Sequence, residues 1–205
     1  MRRDPKTLAA LVAAGLMLAP IGLRAQDQPI NRDQGQSQAQ AQQEDFRSLT
    51  DAQFLQRAAQ GGLMEVSTSK LVNDRTDDDA LERFAEQMVD DHTKVNKELV
   101  RLAESKGVDI PNRLDERHRA MFDRMEKMQR GPTFEREYIQ QQVKAHEQAV
   151  KLFSAMAEEA DDAEVQAFAR KALPNLRHHL QMARERAGLP ADETTSPDTD
   201  RKSGR

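Results

Sequence analysis

The sequence predicts an all-α protein, a bundle of four long helices with a helical crossover between helices two and three. Three observations predict it. Apolar residues recur in alternating steps of four and three, the period of a helix with one buried face. Charged residues make up 32% of the chain and aromatic ones 4%, with no alternating β-branched runs, a composition for amphipathic helices rather than sheets. Asp or Thr precedes the periodic stretches and Gly or Pro follows them, as helix ends require.

Taken in order, residues 1–25 open with Arg2, Arg3 and Lys6, continue through an apolar run from Leu8 to Ala19 and reach the small residue Ala25. That is the layout of a secretory signal peptide, too short for a membrane span; Asp4 and Leu23 depart from it and keep an uncleaved anchor open. Export to the periplasm or the outer membrane is the expected location, with no integral span after cleavage. Residues 26–48 are rich in Gln and read as a disordered linker.

The bundle is expected over residues 49–188. Its first helix starts at Thr50 or Asp51 and runs to about Asn73, with Phe54, Ala58, Gly61, Glu65, Thr68 and Val72 facing inward. The adjacent Gly61 and Gly62 suit a close approach of a second helix. The second helix follows the acidic run Asp77-Asp78-Asp79 and ends at Gly107; Leu81, Ala85, Met88, His92, Val95, Leu99 and Leu102 form its seam. Residues 112–130 form the crossover, of which about 17 helical residues at 1.5 Å each span about 25 Å, with His118 on its rim. The third long helix opens at Pro132, ends near Glu159 and turns Ile139, Gln142, His146, Ala149, Phe153 and Met156 inward, Tyr138 lying on the flank. The fourth reaches Ala187, with Val165, Ala169, Ala172, Leu176, His179, Ala183 and Arg186 on its seam and Pro174 set to kink it. Residues 189–205 form a disordered tail.

Composition excludes several functions. There is no cysteine, which removes disulfides, thiol catalysis and thiolate-ligated metals. A net charge of −4 with both signs mixed along helix faces provides neither a basic patch nor stacking aromatics for nucleic acid. No nucleophile motif and no glycine-rich phosphate loop is present, so hydrolase and nucleotide-binding activities have no support and enzymatic activity stays open. Homo-oligomerisation and protein partners also stay open.

One polar residue interrupts the inward stripe of each long helix: Glu65, His92, His146 and His179. Counted from the turns, the three histidines fall near one level and Glu65 about 7 Å from that of His92, so with helices two and three running the same way all four are expected to meet near mid-bundle. Three imidazoles and a carboxylate suit one transition metal, Fe, Mn, Zn or Cu, with Asp91 and Tyr138 as supporting groups. The alternative is a metal-free polar core in which neutral histidines hydrogen-bond to one another, to Glu65 or to Tyr138 and fix the register of a non-catalytic envelope or stress-related bundle.

The segments AAQGGLMEV (58–66), MVDDH (88–92), FEREY (134–138) with AHE (145–147), and LP (173–174) with HHL (178–180) resemble an exported bacterial ferritin-like family catalogued as a domain of unknown function. Its members are often labelled predicted outer membrane proteins. The resemblance spans Asp51 to Ala187 and implies a ferritin-like four-helix bundle in the cell envelope, with Glu65, Asp91, His92, Tyr138, His146 and His179 as the matching positions. Ferritin-type di-iron sites use paired Glu-x-x-His motifs. Val89, Val143 and Leu176 stand where those glutamates would be, so such a di-iron site is not expected.

Overall fold

Five α-helices follow one another: α1 (Asp51–Asn73), α2 (Asp79–Ser105), α3 (Glu116–Glu126), α4 (Pro132–Glu159) and α5 (Ala163–Arg186). They come from a computed structural model that describes residues 46–190, and no strand occurs among the described residues. The signal peptide expected over 1–25, the linker up to residue 45 and the tail beyond Pro190 lie outside the described residues. Of the linker, Phe46–Ser48 forms a 3-10 turn, and Phe46 and Leu49 pack against the core. Among the described residues no helix is long and apolar enough to cross a membrane.

Helix ends sit where local chemistry satisfies their free backbone groups. Thr50 and Gln53 form a reciprocal capping box at 3.3 and 3.0 Å. The carboxylates of Asp78 and Asp162 each accept two N–H groups at the starts of α2 and α5. Gly107 and Gly188, at φ 66° and 69°, take the left-handed conformation that closes α2 and α5.

Helix α3 is shorter than its pattern predicts. Asp115 caps it by accepting the His118 N–H at 2.8 Å, while the Asp115 N–H is itself held by Gln60 at 2.9 Å, so the helix cannot extend back to Asn112. At the other end Arg75 takes the carbonyls of Glu126 and Met128 at 2.7 and 3.2 Å. Eleven residues span about 16 Å, so the rest of the connection covers its distance as irregular chain. Within α3 only Met125 is buried.

Two apolar clusters fill the interior. One gathers Phe54, Leu55, Leu99, Ala103, Phe153, Met156, Val165 and Leu176, with Phe54 and Phe153 edge to face at 5.0 Å. The other gathers Val72, Leu81, Phe84, Met88, Phe134, Tyr138, Leu180 and Ala183. Helices α1 and α5 enter the first cluster by their N-terminal halves, α2 and α4 by their C-terminal halves; α2 and α4 therefore run in the same sense. Arg186, expected on the α5 seam, is exposed and lays its guanidinium over the Phe84 ring at 5.1 Å.

The paired glycines divide their roles. A Cβ on Gly62 would stand 2.0 Å from Asn96 Oδ1 on α2, whereas one on Gly61, expected inward but half-buried, would meet nothing within 4 Å. Gly61→Ala is therefore expected to stabilise the protein by up to about 1 kcal/mol through helix propensity. Gly62→Ala, which must displace Asn96, is expected to melt below Gly61→Ala; thermal denaturation of the two variants side by side checks this.

Candidate metal centre

The boundary between the two apolar clusters is polar. There α2, α4 and α5 each turn one imidazole inward, because the four-three spacing of their seams leaves that position no route to solvent. His92, His146 and His179 are 6%, 1% and 0% exposed. Their ring centroids stand 5.4, 5.3 and 5.4 Å apart, close to an equilateral triangle. One ligating nitrogen from each lies within 4.8 Å of the other two.

Hydrogen bonds fix which nitrogens carry protons. The His146 Nδ1–H donates to the Gln142 carbonyl at 2.9 Å, leaving a lone pair on Nε2. The His179 Nε2–H donates to Asp91 Oδ2 at 3.2 Å, and its Nδ1 is buried without a partner. The His92 and His146 Nε2 atoms are 3.3 Å apart. Metal–nitrogen bonds of about 2.0–2.1 Å separate ligands on a tetrahedron by about 3.3–3.4 Å, so this pair is already at ligand spacing.

Electrostatics keep the rings neutral. Burial, with repulsion from the other two rings, holds His92 well below the usual histidine range. Burial, then the charge of His179, brings His146 down to about 3 against a weaker pull from the Gln142 carbonyl. Burial also lowers His179, with Asp91 opposing it. Neutral imidazole is the metal-binding form, so the lone pairs are available at neutral pH. Burial works to raise Asp91, yet hydrogen bonds from His179 and Lys94 outweigh it and keep the carboxylate charged. A carboxylate behind a ligating ring orients it and adds compensating charge.

Glu65 belongs to α1. The Ser69 and Tyr138 hydroxyls meet at 2.8 Å, and Phe54 meets Phe153, which sets the antiparallel register of α1 against α4. One turn along from the Ser69–Tyr138 rung Glu65 stands beside Gln142 of α4, and the approach of Gly62 to Asn96 sets it near the level of His92 on α2. Its carboxylate is not among the converging ligand atoms, which come from the three imidazoles alone. Its carboxyl is buried and pushed up to about 7 by desolvation, with Gln142 pulling it down slightly. Tyr138 is fully buried on Ser69 rather than on a histidine, and burial raises it. His118 pairs with Asp115 at 2.9 Å on the half-exposed rim of α3.

Sequence reasoning placed Gln142 on the inward stripe without giving it a role and left Ser69 unmentioned. Gln142 is fully buried beside Glu65, close enough to lower its pKa, yet neither its Oε1 nor its Nε2, nor Glu65 Oε2, makes a well-formed hydrogen bond. The legible signal for Gln142 was two polar residues one turn apart on one seam, Gln142 and His146.

A family model described as a domain of unknown function, DUF4142, matches residues 35–185 of the chain. Among solved structures, the crystal structure of a DUF305 fragment from Deinococcus radiodurans superposes with a TM-score of 0.59 at 15% identity, covering 67% of this chain and 95% of that one. At that identity the likeness is one of fold. No curated protein matches the chain.

Proposed function

The chain belongs to the DUF4142 family of domains of unknown function, and from that premise we propose that it is an exported, ferritin-like helical bundle that binds one transition metal through His92, His146 and His179. The observation that carries this reading is the convergence of three neutral, buried imidazoles, one per helix, with the His92 and His146 nitrogens 3.3 Å apart and His179 Nδ1 without a partner. Helices α2 and α4 running in one sense, with α3 between them, support the ferritin-like crossover. The basic and apolar start of the sequence supports export and a place in the periplasm or at the outer membrane.

Three nitrogen donors favour Zn, Cu or Fe over Mn, which prefers oxygen. Asp91 behind His179 and the buried Glu65 supply the negative charge that a divalent ion among neutral rings needs. The second reading is a metal-free polar core that fixes helix register. The His92–His146 contact favours it, since a hydrogen bond satisfies one nitrogen of each ring.

Elemental analysis after loading with Fe, Mn, Zn and Cu separates the two. About one equivalent of a single metal is expected in the wild type and none in His146→Ala. No bound metal after loading with any of the four removes the proposal and leaves the polar-core reading.

A further inference from the structure

Three histidines fill three of the four positions of a tetrahedral centre, and sites that do chemistry leave the fourth open. Here the fourth long helix, α1, adds no ligand atom to the converging group. The two sides of the imidazole triangle also differ. One turn toward the Phe54 cluster stand Val95, Ala149 and Leu176, which offer no hydrogen bond. On the other side stands Gln142, one turn before His146, with Glu65 beside it, both at least nine-tenths buried and with three side-chain atoms lacking a well-formed hydrogen bond. Each buried polar atom left unpaired costs about 1–3 kcal/mol, and a water-sized guest makes about three hydrogen bonds.

Resting on the metal reading above, we infer that the fourth coordination position takes a small exogenous ligand, water or a small anion in its place, which Gln142 and Glu65 receive by hydrogen bonds. The span agrees. A metal–ligand bond of about 2 Å and a hydrogen bond of about 3 Å together cover about 5 Å, one helical turn. Gln142 brings an N–H₂ donor and a carbonyl acceptor; Glu65 brings a carboxyl that donates while protonated and accepts once ionised. A ligand with one acceptor and one donor face satisfies all three atoms.

The test uses cobalt(II)-loaded protein titrated with azide at pH 6, followed by visible absorption, with cobalt content measured on the same samples. Azide is expected to bind once per cobalt in the wild type. Gln142→Leu and Glu65→Leu replace unpaired polar groups by apolar ones of similar size and are expected to keep one cobalt while binding azide at least tenfold more weakly. Gln142→Met, which preserves chain length, provides the same reading if a leucine variant fails to fold. Azide affinities within twofold of wild type in the variants, or a loaded wild type unresponsive to azide, overturn the inference and leave the metal reading standing. A wild type that holds no cobalt removes both.

Discussion

Saturating the metal-free protein with its ion, at a free concentration a thousand times the dissociation constant, is expected to raise the unfolding free energy by about 4 kcal/mol. For a bundle of this size that is a rise of roughly 10–15 °C in melting temperature. The unfolded chain cannot reproduce the site, because His92, His146 and His179 come from three helices separated by long stretches of sequence. The increment should vanish in His146→Ala, whose ring supplies one corner of the triangle. It should shrink by the equivalent of a ten- to hundredfold loss of affinity in Asp91→Asn, which keeps an acceptor for His179 Nε2–H but removes the charge behind the ring. Calorimetric melts of each variant with and without metal read the increment directly, so the stability lost with the side chain itself cancels. An equal shift in wild type and His146→Ala would place any bound metal somewhere else.

Glu65→Gln is expected to stabilise the metal-free protein by about 3 kcal/mol at pH 8 and by little at pH 4. In the folded protein burial pushes this carboxyl from 4.5 up to about 7. Between those values the native state holds a proton that the unfolded chain has released, so raising the pH through this window favours unfolding. The 2.5-unit difference, at 1.36 kcal/mol per unit, amounts to about 3 kcal/mol once pH exceeds 7. Glutamine has no charge to bury. His146 acts with the opposite sign: its pKa falls from 6.5 to about 3 on folding, so its contribution is present above pH 6.5 and is lost as the pH falls toward 3. The wild type should therefore lose stability on both flanks, and Glu65→Gln should remove only the alkaline loss. Denaturant titrations of both proteins at pH 4, 6 and 8 measure it. A gain equal at all three pH values would mean that packing, not ionisation, separates glutamate from glutamine here. In the metal-loaded protein the gain should be smaller, because a nearby cation offsets the buried carboxylate.

The sequence by itself determined the helices and their inward faces. Thr50, Asp78, Asp162, Pro132, Gly107 and Gly188 mark the ends of the long helices through contacts within a few residues, and the four-three spacing marks one buried stripe on each. Those are properties of single segments, so a linear reading captures them, and it captured the three buried histidines with them. Where α3 ends was decided by Gln60 of α1 and Arg75 of the α1–α2 turn, side chains some fifty residues away in the chain. So was the close approach at Gly62, which depends on Asn96. The relative height of Glu65 followed the same rule. Counting from the turns brought it together with the three histidines near mid-bundle, whereas only the imidazoles supply the converging ligand atoms, and the packing of Ser69 on Tyr138 sets Glu65 beside Gln142. Periodicity fixes which way a residue faces around its own axis, whereas the sliding of one helix along another is set by interdigitating side chains that lie far apart in the chain. The three imidazoles were therefore legible before folding, and the absence of Glu65 from their converging group was not.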